Sequence, residues 1–154
     1  MRGIADTGFV VALINVKDRH HRWAAELVHD FEKPLLTCEA VLTEAAYLLR
    51  AVGPVIGLLS NGLIEVHFDL GQNYQAVEQL ASTYADQTPD LCDLCVVRMS
   101  ELFPRYLVLT TDRRDFTVYR RNQRELDDPL DEFERDEGEH QRNDETDDHA
   151  RCPR

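Results

Sequence analysis

Basic side chains are scarce in this chain: 17 Lys and Arg stand against 29 Asp and Glu, a formal net charge of -12. Only two of the bases are lysines, Lys17 and Lys33, and both fall in connecting segments. Long apolar runs are also missing. No stretch approaches the ~18 residues needed to span a bilayer, so no membrane association is expected. A charged n-region, an apolar h-region and a cleavage site are absent as well, which argues against secretion. The four cysteines, Cys38, Cys92, Cys95 and Cys152, are then expected as free thiols in a reducing cytoplasm. No internal repeat is visible.

The acidity is unevenly placed. Residues 124–154 hold 13 Asp and Glu against 5 Arg, whereas residues 1–123 hold 16 acids and 12 bases. The segment 124–154 has few large apolar residues and no amphipathic period, so it cannot bury enough surface to offset the entropy of ordering it. It reads as a disordered acidic tail, either a solubilising appendage or a competitor for the protein's own basic patch. Residues 1–123 read as one domain, with 43% hydrophobic content over the whole chain being ordinary for a globular protein.

Along that domain short apolar runs alternate with helical periods. Residues 1–5, "PLLT", "LIEVHF" and "YLVLTT" suit buried strands, and "FTVYR" suits a short edge strand. Between them "TGFVVALIN", "DRHHRWAAELVHDF", "CEAVLTEAAYLLRAV", "VIGLLSNG", "NYQAVEQLASTYAD" and "DLCDLCVVRMSELF" carry helical spacing, punctuated by Pro34, Gly53-Pro54, Pro89 and Pro104. The alternation predicts an α/β fold with a mainly parallel sheet and right-handed crossovers. Ligands in such sheets bind off the carboxyl ends of the strands.

Several carboxylates fall where apolar residues are expected. Asp6 ends the first strand and Asp112 follows the fourth. Glu44 shares a helical face with Val41, Ala45, Leu48 and Val52, and Asp93 precedes Val96 and Val97 by three and four positions. No lysine or arginine occupies a matching inward position. Converging acids without cations repel one another strongly at low dielectric. A hard divalent ion, Mg²⁺ or Mn²⁺, resolves the conflict and supports phosphodiester hydrolysis by activating a water and stabilising the in-line displacement.

The segments "IADTGFVVAL", "LTEAAYLL", "DLCDLCVV" and "VLTTDRRDF", in this order and spacing, resemble PIN domains, in particular the VapC-type ribonuclease toxins of bacterial toxin-antitoxin pairs. The resemblance covers residues 2–121. It implies a three-layer α/β/α sandwich, a Mg²⁺- or Mn²⁺-dependent endoribonuclease, a homodimer, and a cognate antitoxin that occludes the site. It also implies roles residue by residue: Asp6 and Asp93 as the main metal ligands, Glu44 and Asp112 as the further acids, and the Thr7 and Thr111 hydroxyls as holders of a water or phosphate oxygen. Two departures stand out. Gly8 occupies a position where many relatives have Asn, and the acidic tail has no counterpart.

Other features carry a plainer reading beside the functional one. Asp6 could cap the helix that follows it. Asp90 either caps a helix or binds metal or water, and Asp115 either reaches the metal through water or closes the "DRRDF" turn. Cys92 and Cys95 form C-x-x-C, without a second ligand pair, and read as small core residues. His20 and His21 could assist proton transfer, but at a helix start with no partner acid they read as solvated, and Trp23 reads as core or dimer interface. Arg113, Arg114, Arg120, Arg121 and Arg124 either hold RNA phosphates or line a solvated turn. A haloacid-dehalogenase-like phosphatase would need a second aspartate where Gly8 stands, and a receiver domain would need a late lysine. The remaining alternative to a nuclease is a catalytically silent PIN-like module that binds RNA or protein.

Overall fold

In the computed structural model residues 1–111 are described. Asp112, Arg113, Arg114, Asp115, Arg120 and Arg121, the "FTVYR" strand and the acidic segment lie outside the described residues.

Four strands form one parallel sheet: β1 (Gly3–Ala5), β2 (Leu35–Thr37), β3 (Ile64–Val66) and β4 (Leu107–Leu109), in the order β3-β2-β1-β4. Register is set by Ile4 opposite Leu36 on one side and Val108 on the other. Every residue of β1 and β2 is buried, as expected for central parallel strands covered on both faces. At the edge, β3 exposes Glu65, a charge that discourages further strand pairing.

The helices are α1 (Thr7–Ile14), α2 (His21–Leu27), α3 (Glu39–Leu49), α4 (Gly53–Ser60), α5 (Leu70–Thr83) and α6 (Leu91–Leu102). With the sheet they make the expected three-layer α/β/α sandwich. Helix α1 packs on α2, α3 and α4, α5 pairs with α6, and α6 also meets α3. Trp23 belongs to the core: it is 2% exposed, and its ring meets Phe9 edge-on at 5.7 Å.

Strand order fixes where a ligand can bind. From β1 the chain builds outward through β2 to β3, then returns to place β4 on the other flank of β1. The reversal leaves a crevice beyond the carboxyl ends of β1 and β4, the usual location of a binding site in open parallel sheets. Asp6 follows β1 directly, and Thr110 and Thr111 follow β4.

One part of the sequence reading is corrected. The stripe Val41, Ala45, Leu48 and Val52 does not continue as a single buried face: Leu48 is 56% and Val52 64% exposed. Helix α3 stops at Leu49 because Arg50 adopts the left-handed conformation (φ 51°), and its amide closes back on Ala46 and Tyr47. The chain then turns into α4 at Gly53-Pro54, so Val52 lies off the helical register. Glu44 precedes the break and keeps its place one turn from buried Val41.

Candidate active site

Asp6 is anchored at the switch point by the backbone. Its amide donates to the Leu109 carbonyl (3.0 Å), continuing the β1–β4 ladder, and its carbonyl accepts from Val10 (3.0 Å), the first bond of α1. It therefore occupies the N-cap of α1, yet its side chain makes no cap hydrogen bond. The carboxylate accepts instead from the Thr110 hydroxyl at 2.9 Å. The Asp6 side chain is therefore held from β4 as well as lying near the first amides of α1, those of Thr7 and Gly8.

The side chain is 5% exposed. Burial pushes its carboxyl up from 3.8 to about 6, against the hydrogen bond from Thr110 and the nearby amides of Thr7 and Gly8. The neighbouring charge is another acid, Glu44, which pushes it in the same direction as burial. Arg98, the cation of α6, is engaged elsewhere, with Glu101 at 2.7 Å and Asn73 at 3.3 Å.

Glu44 is brought to Asp6 by the next residue in the chain. The Thr7 hydroxyl, buried at the start of α1, donates to Glu44 Oε2 at 2.6 Å and also lies 3.1 Å from Cys92 Sγ on α6. One small side chain thus joins α1, α3 and α6. The hydroxyl expected to hold a water or phosphate is committed to protein groups.

Asp93 follows Cys92 in the first turn of α6 and is half-buried. Asp90 is the N-cap of that helix: its Oδ1 accepts from the Asp93 amide at 2.9 Å. The capping half of the reading for Asp90 is therefore present in the structure. Thr111 approaches from β4 and lies against Gly8. A Cβ on Gly8 would overlap the Thr111 hydroxyl and come within 3.3 Å of its backbone nitrogen. The missing side chain at this position is what lets the end of β4 close over the start of α1.

The C-x-x-C pair divides. Cys95 hydrogen-bonds with Cys38, the N-cap residue of α3; this bond and the amides of Ala40 and Val41 lower the Cys38 thiol, while the Cys95 thiol is raised. Cys92 turns to Thr7, and burial raises its thiol far above the ordinary range. All three are buried and free. The two histidines make local contacts: His21 Nδ1 donates to the Ala12 carbonyl at 2.8 Å and His20 accepts from Arg19 at 2.8 Å.

The donors gathered at the switch point are carboxylate oxygens, the ligand type that Mg²⁺ and Mn²⁺ take. A divalent cation would also relieve the cost of ionising buried Asp6. Among the described residues, however, no group of three or more His, Cys, Asp or Glu is close enough to hold an ion. A cavity of about 390 Å³ lies elsewhere, lined by Val66, His67, Phe68, Asp69, Gln72, Asn73 and Leu102, none of them a candidate site residue.

Two residues at this site escape a reading of the sequence. Thr110, which the sequence reading did not single out, donates to Asp6, and Cys92 is a polar partner of Thr7. Among the described residues no helix is long and apolar enough to cross a membrane.

No protein-family profile matches the chain, and no curated protein matches it in sequence. Among solved structures it is similar to Mycobacterium tuberculosis VapC20, a toxin that cleaves the sarcin-ricin loop, with a TM-score of 0.65 and 18% identity over 73% of this chain and 91% of that one. The two share a fold, the PIN-like sandwich that the sequence resemblance implies.

Proposed function

We propose that this chain is a metal-dependent endoribonuclease and the toxin of a toxin-antitoxin pair. The observation that carries the reading is Asp6: a buried carboxylate at the topological switch point, with another acid as its neighbouring charge, on a fold shared with an RNA-cleaving toxin. Burying a carboxylate among acids is costly, and a hydrolase that recruits a cation is the setting in which that cost has a use.

Asp6 and Asp93 are the residues that would hold Mg²⁺ or Mn²⁺, with Glu44 and Asp112 completing the acidic set. When bound, such an ion supplies a water of lowered pKa and stabilises charge on the phosphodiester. The chain's own residues prepare that chemistry. Thr110 fixes one oxygen of Asp6 and leaves the carboxylate aimed from the end of β1. Thr7 fixes one oxygen of Glu44, so its other oxygen has a defined direction in which to accept a proton from an attacking water. Arg113, Arg114, Arg120 and Arg121 would hold RNA phosphates beside the fourth acid, and the negative net charge belongs mostly to the tail.

A homodimer and a cognate antitoxin complete the proposal, both in the cytoplasm. Tyr47, Leu48, Val52 and Ile56, between 51% and 80% exposed around the α3–α4 junction, are the kind of apolar surface a second copy would cover.

One observation favours the silent RNA- or protein-binding module instead: among the described residues no three candidate ligands stand at ion-holding distance. Cleavage of a mixed RNA pool by the purified chain, freed of co-purified partners, separates the two readings. Cuts that need Mg²⁺ or Mn²⁺, stop with EDTA and vanish in Asp93→Asn support the nuclease. RNA binding without cuts in either protein overturns it in favour of the module.

A further inference from the structure

We infer that Cys92 is a positioning residue whose thiol holds the Thr7 hydroxyl in the orientation that delivers it to Glu44. The geometry stands by itself; its consequence for turnover rests on the nuclease reading.

The argument is a count of hydrogens. Thr7 Oγ1 has two polar neighbours, Glu44 Oε2 at 2.6 Å and Cys92 Sγ at 3.1 Å, and a single hydrogen to give. A carboxylate oxygen only accepts, and 2.6 Å is the length of a charge-assisted O–H···O⁻ bond. The hydroxyl hydrogen therefore points to Glu44. The contact with Cys92 is a hydrogen bond only when the thiol donates into the Thr7 lone pair. The result is a one-directional relay, Cys92 S–H to Thr7 O–H to Glu44, crossing from α6 through α1 to α3.

Without the thiol, the hydroxyl loses the donor that selects its rotamer. The bond to Glu44 would then hold the hydroxyl without a second partner and compete with bonds back to its own helix. Cys92 is placed for this role and Cys95 is not. Three residues further along the same helix, Cys95 meets Cys38, so the two members of C-x-x-C serve different partners.

The sulfur–hydrogen stretch, read by Raman spectroscopy on the full chain, tests the relay without any activity. Hydrogen bonding lowers that frequency. A lowered band that disappears in Cys92→Ser and moves up in Thr7→Val supports the relay; a band that Thr7→Val leaves in place overturns it.

Turnover on RNA with Mn²⁺ provides the second arm. Both substitutions lose packing volume relative to sulfur, and only Ser keeps a γ donor. Cys92→Ala is expected to lower kcat about fivefold at unchanged KM, and Cys92→Ser to stay within about twofold. Equal losses in the two variants overturn the positioning role. A wild-type chain that cuts no RNA while its thiol band shifts as described overturns the nuclease reading and leaves the relay standing.

Discussion

Thr7 and Glu44, 37 positions apart in the chain, are joined by a 2.6 Å hydrogen bond at the meeting of α1 and α3. Their bond decides where Glu44 can aim its free oxygen. Thr7→Val keeps the shape and removes the donor. A hydrogen bond to a charged group is worth about 1.5–3 kcal/mol, so RNA cleavage should fall roughly ten- to a hundredfold. Thr7→Ser should stay within a few-fold of wild type. Single-turnover cleavage rates at saturating enzyme are the check, and an unchanged rate in Thr7→Val would show that Glu44 needs no such support.

Asp6 predicts a pH dependence of stability. Its carboxyl stands at about 6 in the folded chain and near 3.8 in the unfolded one. Between these values the folded state binds a proton that the unfolded state has released. The stabilisation is complete below about pH 4 and is lost as the pH rises through 6. Above pH 7 the buried charge costs about 3 kcal/mol. Asp6→Asn keeps an oxygen for Thr110 and removes the charge, so it should be more stable than wild type at pH 8 and not at pH 4. Urea denaturation at the two pH values measures this. Added Mn²⁺ should raise the wild-type melting temperature at pH 8 and leave Asp6→Asn unmoved.

The legible parts of the site are those that break a local pattern. Asp6 interrupts an apolar strand, and Glu44 shares a helix face with Val41 and Ala45, so periodicity alone makes both visible. The same stripe overruns: Leu48, still within α3, is exposed, and Val52 falls beyond the helix because a non-glycine residue, Arg50, takes the left-handed conformation and ends α3 at Leu49. Thr110 is hidden for a different reason. Alternation along a strand says that Thr110 and Thr111 face opposite ways, but not which of them meets Asp6. Cys92 is less legible still. Its partner Thr7 lies 85 positions away, and within α6 it looks like any small core residue. Contacts set by packing between helices leave no trace in local spacing.

Gly8 is predicted to tolerate no side chain. A Cβ there would strike the Thr111 hydroxyl and crowd its backbone nitrogen at 3.3 Å. Gly8→Ala should therefore destabilise the fold by about 1–3 kcal/mol despite the helix propensity that alanine adds. The clash is largely with one atom, so Gly8→Ala with Thr111→Ala should recover part of the loss. A double-mutant cycle in urea gives the coupling between the two positions. Additive effects would mean that the end of β4 moves away at no cost.

Asp90 offers the sharpest separation of structure from chemistry, because its two roles ask different things of its oxygens. As the N-cap of α6 it needs one acceptor for the Asp93 amide, now 2.9 Å from Oδ1. Asparagine supplies that acceptor as well as aspartate does, whereas a role in metal or water binding calls for the charge. Asp90→Ala should cost about 1 kcal/mol in stability through loss of the cap. Asp90→Asn should restore that stability whichever role holds, so stability alone decides nothing. Cleavage does: Asp90→Asn with near wild-type rates and an unchanged Mn²⁺ requirement would confine Asp90 to the cap. A tenfold or greater loss in Asp90→Asn, with the melting temperature intact, would place its charge in the reaction and make the start of α6 supply two acids, Asp90 and Asp93, to the same site.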